Sequence, residues 1–197
     1  MWEIEISQWF YHPTSIFATI FDLIGEAPAV IPFVYFVVVL VGVVAKKSYF
    51  TKNKWEHIYF ALYLICVVVI VSTVVATIKH LWGRARFVDL NAPDYIGYTP
   101  FYQPSAFGGN SFPSGHASMS TLSVLLYDIN KKHRIFAKNG WILAFSVLFT
   151  ACVVVSRLIA GAHFITDLIF GVLIALVVRA VSKLLYQKLI AKSHRDL

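Results

Sequence analysis

The feature that most constrains this chain is a set of four apolar runs, each close to the length of about 20 residues that a helix needs to cross a bilayer. They cover residues 30–45, 57–78, 139–156 and 165–185. A backbone in lipid must satisfy its hydrogen bonds within one segment, so the runs predict helices even where β-branched residues are dense. Of the 197 residues, 58% are hydrophobic and 14% are charged, against about 25% charged in an average soluble domain. This balance excludes most soluble folds and a disordered chain.

A fifth run, residues 116–130, is shorter and carries hydroxyl side chains on its first turns. Small and hydroxylated residues suit helix contacts inside a membrane bundle. We therefore expect this run to pack among the other helices. The hydroxyl side chains are those of Ser118, Ser120, Thr121 and Ser123.

The segment before the first apolar run is less regular. Pro13 interrupts residues 6–24, Thr14 or Ser15 is placed to cap a short helix, and Asp22 and Glu26 close the segment. We expect an interfacial or half-spanning helix within residues 1–26. The predicted fold class is an all-α polytopic membrane bundle, with about five transmembrane helices plus this N-terminal helix, in one domain covering residues 1–197.

The positive charges are divided unequally between the two ends of such a bundle. Of the 17 lysines and arginines, 13 fall in residues 46–54, 131–138 and 179–195, which alternate to the same side. Basic residues collect on the cytoplasmic side of membrane proteins, so the opposite side is external. The net charge of +7 then reflects membrane topology and anionic lipid, and no nucleic acid partner is expected. The external side keeps Lys79, Arg84, Arg86 and Arg157.

Cations kept where topology disfavours them predict an anion site. Three segments place these cations near histidines on the external side: Lys79-x6-Arg86, then Pro113-Ser114-Gly115-His116, then Arg157-x5-His163-x3-Asp167. Arg84 is expected to meet lipid headgroups instead and is left out of the candidate site.

Each spacing has a chemical use. A helix that starts at the second segment offers backbone N–H groups to phosphate oxygens, and Gly115 lets an anion approach the backbone. The cations add charge-assisted hydrogen bonds. His163 and Asp167 are four residues apart on one helix face, so the carboxylate can fix one imidazole tautomer. The other nitrogen of His163 is then a nucleophile or base, and His116 is the natural acid.

The three segments, in this order, resemble the signature of the membrane-bound type-2 phosphatidic acid phosphatase family, which shares its site with vanadium-dependent haloperoxidases. The resemblance implies that His163 attacks phosphorus to form a phosphohistidine, that His116 protonates the leaving group, and that Asp167 orients His163. It implies no metal and no cofactor. One departure is Phe87, which stands where the family usually has proline. The phosphoryl oxygens would be held by Lys79, Arg86, Ser114, Gly115 and Arg157.

The implied substrates are lipid phosphomonoesters or pyrophosphates. Resemblance to small bacterial members favours undecaprenyl pyrophosphate or phosphatidylglycerol phosphate, while Gly83-Arg84-Ala85-Arg86 and a long aromatic loop keep a lipid A phosphatase as the alternative. We expect the loop at residues 88–112 to cap the site and help select the headgroup. Small size and the lack of a eukaryotic targeting signal favour a bacterial inner membrane, with the site facing the periplasm or exterior. Membrane lipids are the expected surroundings, and no oligomeric state is predicted.

Two functions of other classes compete with this hypothesis. In a transporter, His116, His163 and Asp167 would form a proton or metal relay, which belongs near mid-membrane rather than at helix ends. A non-catalytic lipid-binding protein would keep only the anion pocket. Sensitivity to a chelator distinguishes the first, and detection of a phosphohistidine distinguishes the second.

Overall fold

The computed structural model describes residues 2–91, 97–105 and 108–193, and within them the regular structure is entirely helical. Short 3₁₀ segments at Ala27–Val30, Phe87–Asn91 and Leu122–Val124 separate or extend the α-helices. The α-helices are α1 (Trp2–Phe10), α2 (Ile16–Ile24), α3 (Ile31–Val44), α4 (Ser48–Lys52), α5 (Lys54–Trp82), α6 (Gly115–Thr121), α7 (Leu125–His133), α8 (Asn139–Ile159) and α9 (Ile165–Ser193).

Four helical segments are long and apolar enough to cross a membrane, and they contain the four runs that the sequence singles out. Less than half of each most apolar window is buried inside the protein. The remaining apolar surface faces outward, as lipid contact requires. The prediction of a polytopic helical membrane bundle is confirmed. The four segments are Ile16–Val44, Lys54–Leu90, Asn139–Ile159 and Ile165–Ala191.

The hydroxyl-rich run lies inside the bundle, as expected. It consists of α6, the 3₁₀ turn Leu122–Val124 and α7, and all of α6 after His116 is buried. Its hydroxyls bond to carbonyls of the preceding turn, for example from Thr121 Oγ1 to Ala117 O at 2.7 Å. This run is not among the four segments that meet the length and hydropathy needed for a span. Polar side chains and the 3₁₀ turn interrupt it, so its stability depends on the surrounding helices.

An interfacial or half-spanning helix was expected within residues 1–26, but from Ile16 onward this region belongs to the first candidate span. Ser15 caps α2, accepting a hydrogen bond from Ala18 N–H at 3.4 Å. Beyond α2 the backbone stays right-handed through Gly25 and Glu26 into the Ala27–Val30 segment and α3. The apolar stretch therefore begins at Ile16 rather than at residue 30. Pro28 and Pro32 each occupy a first position of a helical segment, where a missing N–H is tolerated, so the prolines do not end the run.

The two ends of the bundle have different ionic character. At one end, Asp128 is buried and accepts hydrogen bonds from Arg179, Lys183 and Tyr63. At the other end, the three motif segments meet the N-terminal helices. An apolar core of α5, α6, α7 and α9 side chains separates the two ends.

Candidate active site

The end of α5 sends Arg84 into the protein interior. Gly83 ends this helix in the left-handed conformation (φ 61°), and its N–H bonds to Lys79 O at 3.1 Å. Glycine suits this position because an L side chain at positive φ is strained. The chain then turns sharply, and Arg84 has 0% of its surface exposed. The expectation that Arg84 meets lipid headgroups is wrong, because the guanidinium lies among buried carboxylates.

Arg84 connects α1 to the start of α9. Its guanidinium lies 4.3 Å from the centre of the Phe164 ring, a cation–π contact. Two buried carboxylates balance its charge, which a buried guanidinium requires. Its donors reach the carbonyl of Thr99 at 2.8 Å, the hydroxyl of Thr166 at 3.0 Å, and the carboxylates of Glu3 and Asp167.

Asp167 is fully buried and holds four contacts at once. One carboxylate oxygen accepts from Arg84, and the other accepts from Ser111 Oγ at 2.5 Å and from Phe164 N–H at 2.9 Å. That second oxygen also lies 3.8 Å from Nδ1 of His163. Three donors fix the orientation of this carboxylate, so it can in turn orient the imidazole of His163.

His163 lies in the turn between α8 and α9 and is 2% exposed. Its Nδ1 is buried and has no hydrogen-bond acceptor within bonding distance among the described residues. The separation of 3.8 Å from Asp167 exceeds a hydrogen bond, and substrate-free sites often tighten such contacts on binding. Burial lowers the pKa of His163 to about 4, with the charges of Lys79 and Arg157 adding to this and Asp167 opposing it. The ring is therefore neutral at ordinary pH, as a nucleophile must be.

Lys79 and Arg86 flank the turn around Arg84. The Lys79 ammonium donates to Asn110 O at 2.5 Å. Arg86 N–H bonds to a carboxylate oxygen of Asp89 at 3.1 Å, and its side chain is half-buried. The Arg86 charge acts on both Lys79 and Arg157. Three of the predicted cations thus share one end of the bundle.

The start of α6 is attached to α9. Ser114 caps α6, accepting from Ala117 N–H at 3.3 Å, and its own N–H bonds to Asp167 O at 2.9 Å. Ser114 is fully buried. The close approach depends on Gly171, where an added Cβ would lie 2.5 Å from Ser114 O. A Cβ on Gly115 would lie 3.9 Å from Glu26 Oε1 and from Lys79 Cε, so an added methyl would make only ordinary van der Waals contacts there.

His116 and Arg157 both contact carboxylates from the N-terminal region. Asp22 bridges them, with Oδ1 at 3.1 Å from His116 Nε2 and in contact with an Arg157 terminal nitrogen. Glu26 Oε1 lies 3.3 Å from His116 Nδ1. The His116 side chain is 23% exposed, and Arg157 is buried at the last turn of α8. In the sequence these two acids stand out only as the close of an N-terminal segment.

The structure therefore places all eight predicted site residues at one end of the bundle and adds residues that the sequence analysis missed. Of the added residues, the acids come from segments far from the motifs in sequence, and Ser111 precedes the second motif by only two residues. Seven of the ten acidic residues lie toward the external side in the predicted topology. This surplus was the available signal for the acids, since buried cations need partners there. Ser111 and Thr166 have no comparable signal. The added residues are Glu3, Asp22, Glu26, Arg84, Ser111 and Thr166.

Phe87, the departure from the family pattern, supports the site through packing. It begins the 3₁₀ segment after Arg86 and is 6% exposed. Its ring lies 6.2 Å from that of Phe164, edge to face, and 5.4 Å from that of Tyr11. The turn after Arg86 thus forms with phenylalanine in the proline position.

Comparison with known proteins agrees with the motif geometry. A family model described as PAP2 superfamily matches residues 57–191. The chain belongs to the PAP2 superfamily. This match covers all three motif segments, and it confirms the resemblance drawn from them. No curated protein and no solved structure matches the chain. As a PAP2 protein, the chain is a phosphatase of the phosphatase/haloperoxidase superfamily and acts on phosphoric esters.

Proposed function

We propose that this protein hydrolyses a lipid phosphomonoester or pyrophosphate at the external end of the bundle, through a phosphohistidine on His163. The observation that carries the proposal is the convergence of a buried His163–Asp167 pair, a second imidazole and three cations at a bundle end that adjoins lipid-facing surface. The cations match a phosphoryl group in charge and geometry.

The proposed reaction uses both imidazole rings. His163 Nε2 attacks phosphorus, and the bond from phosphorus to the leaving oxygen breaks. Asp167 orients the ring from its Nδ1–H side. His116 gives a proton to that oxygen. Water, losing a proton to His116, then attacks phosphorus, and the electron pair of the P–N bond returns to His163 as inorganic phosphate leaves. Positioning and charge supply most of the stabilisation in phosphoryl transfer.

A cavity of about 560 Å³ supports a lipid as the substrate. Its polar end is formed by Lys79, Gly115 and Glu26, and its walls are mostly small or apolar. A tail in this cavity would stay in contact with lipid while its phosphate meets the cations. The wall residues are Ala27, Ala29, Val30, Ser72, Val75, Ala76 and Met119.

Among the candidate lipids, undecaprenyl pyrophosphate and phosphatidylglycerol phosphate remain favoured over lipid A. The alternative depended in part on the segment Gly83-Arg84-Ala85-Arg86, and Arg84 in this segment is buried against Glu3 and Asp167. The aromatic loop at residues 88–112 remains the proposed headgroup cap; its residues 92–96 and 106–107 lie outside the described residues. Trp82 Nε1 donates to Phe101 O at 2.6 Å, which attaches the loop to α5.

The direct test is phosphate release from a panel of these lipids by the full-length protein in detergent, with His163→Ala and His80→Ala compared. His80 is an exposed histidine at the same end of α5 as Lys79 and is the matched control. We expect His163→Ala to abolish release and His80→Ala to retain it. Mass spectrometry should detect a phosphohistidine on His163 during turnover. Full activity in His163→Ala would remove the nucleophile assignment.

The orientation is a separate proposal: the site faces the periplasm or exterior of a bacterial inner membrane. It is supported by the location of most basic residues at the opposite end. Tyr102→Cys and Phe136→Cys place an exposed thiol at the two ends. A membrane-impermeant maleimide added to intact cells should label the first variant and not the second. Labelling of the second alone would reverse the orientation.

A further inference from the structure

The ring of His116 has a carboxylate at each nitrogen. Asp22 Oδ1 lies 3.1 Å from Nε2, and Glu26 Oε1 lies 3.3 Å from Nδ1. The other charged groups around the ring are Arg157 on α8, which pairs with Asp22, and Lys79 on α5, which lies beside Gly115. An acid catalyst needs one nitrogen directed at the leaving oxygen, so the two carboxylates must have different roles.

Asp22 marks the nitrogen that faces the substrate. Its oxygen touches both His116 Nε2 and the guanidinium of Arg157, the place that a phosphoryl oxygen must take if these two residues bind it. The Asp22 side chain is 53% exposed, so an arriving anion can replace its carboxylate at Arg157 and at Nε2. The Asp22 carbonyl oxygen, 3.3 Å from Nε2, then remains as the protein contact of that nitrogen. Nε2 is thus the side of the ring that faces a phosphoryl group at Arg157, and Nδ1 is the side that faces Glu26 and the cavity.

We propose that Glu26 is a positioning residue for His116, and that it holds the Nδ1 proton so that Nε2–H points at the leaving oxygen. The inference rests on the proposed function of the site. Glu26 acts on His116 as Asp167 acts on His163, and each ring then has its own orienting carboxylate. Glu26 also lines the cavity beside Lys79 and Gly115, so it stands between the ring and the lipid-facing side of the bundle.

The proton balance follows from this arrangement. In the first step the imidazolium of His116 gives its Nε2 proton to the leaving oxygen as the P–O bond breaks. The ring stays neutral, with the Nδ1 proton still held at Glu26. In the second step Nε2 takes a proton from the attacking water, and the imidazolium is restored. The Glu26 carboxylate favours the charged form of His116 and so opposes the effect of the nearby Arg157 charge.

The test compares Glu26→Gln with Glu5→Gln on two phosphate monoesters. Glutamine keeps the size of Glu26 and removes its charge, and Glu5 is an exposed acid on α1 that serves as the matched control. The first substrate is a long-chain alkyl phosphate, whose alkoxide must be protonated to leave. The second is p-nitrophenyl phosphate, whose leaving group departs without an acid. General acid catalysis is worth about 10²–10⁴-fold in rate.

We expect Glu26→Gln to reduce kcat for the alkyl phosphate by about 10- to 100-fold, a part of the full acid contribution, with less than about threefold change on p-nitrophenyl phosphate. The alkaline limb of the kcat/KM profile should move to lower pH by about half a unit, because a partly exposed carboxylate is screened by water. Glu26→Asp should recover part of the rate, and Glu5→Gln should match the parent on both substrates.

Two results would overturn the inference. Equal losses on both substrates, with a lowered unfolding temperature and no displacement of the alkaline limb, would make Glu26 a structural contact only. The inference would also be wrong if Glu26→Gln hydrolysed the alkyl phosphate at the rate of the parent protein. Failure of the proposed function looks different: the parent protein would then release phosphate from neither substrate and form no phosphohistidine.

Discussion

Replacing Arg84 with methionine provides the sharpest test of how the site is built. The substitution keeps a long side chain but removes the charge that balances two buried carboxylates, Glu3 and Asp167. Removing one partner of a buried ion pair costs about 3–5 kcal/mol. Each carboxylate keeps two other donors, Thr166 and Tyr98 for Glu3 and Ser111 and Phe164 for Asp167. We therefore expect the free energy of unfolding to fall by about 3 kcal/mol, the lower end of this range.

The matched control is Arg86→Met, two residues along the same turn. The Arg86 side chain is half-buried and makes no hydrogen bond to the described residues, although its charge acts on Lys79 and Arg157. Its removal should change stability by less than about 0.5 kcal/mol, as for most surface substitutions, and should raise KM. Arg84→Lys should remain destabilised because an ammonium cannot reproduce the planar fork.

The assay is thermal unfolding of both variants in the same detergent, with phosphate release measured below the transition. We expect a clear loss of unfolding temperature for Arg84→Met alone, and a raised KM without that loss for Arg86→Met. If Arg84→Met unfolds at the temperature of the parent protein, Arg84 is not the buried support described above. If both variants lose only activity, Arg84 contacts the substrate instead.

Three further predictions concern the phosphate site. Gly115→Ala should fold normally, since its methyl would lie 3.9 Å from the nearest described atoms. It should raise KM about tenfold, equivalent to about 1.4 kcal/mol of binding. Gly171→Ala should instead lose about 1–3 kcal/mol of stability, because its Cβ would lie 2.5 Å from Ser114 O. The acid limb of the kcat/KM profile should lie near pH 4 rather than 6.5, because the lowered pKa of about 4 keeps His163 neutral down to that pH. A limb at pH 6.5, after correction for ionisation of the substrate phosphate, would contradict this. EDTA should leave the rate unchanged, since the proposed route uses only imidazoles and side-chain cations, and loss of activity that Zn²⁺ or Mg²⁺ restores would favour a metal route.

The fold class and the motif residues could be read from the sequence because both depend on local properties. Apolar length determines whether a segment can span lipid, and basic residues between spans indicate orientation. Three short motifs indicated the imidazoles, the orienting Asp167 and the phosphate-binding cations. About five spans were expected, and four segments of the described residues are long and apolar enough to be spans. The hydroxyl-rich run before Asn130 needs its neighbours to be stable, and residues 16–24 join the first apolar run.

What the sequence determined is therefore the membrane bundle, its charge asymmetry and the identity of the residues proposed to carry the chemistry. Tertiary structure decided which charges are paired. Arg84 and Arg86 stand two positions apart, yet one is fully buried between Glu3 and Asp167 and the other is half-buried. Pairing in a low-dielectric interior depends on which helices approach within a few ångströms, and that information belongs to packing between segments rather than to spacing within any one of them.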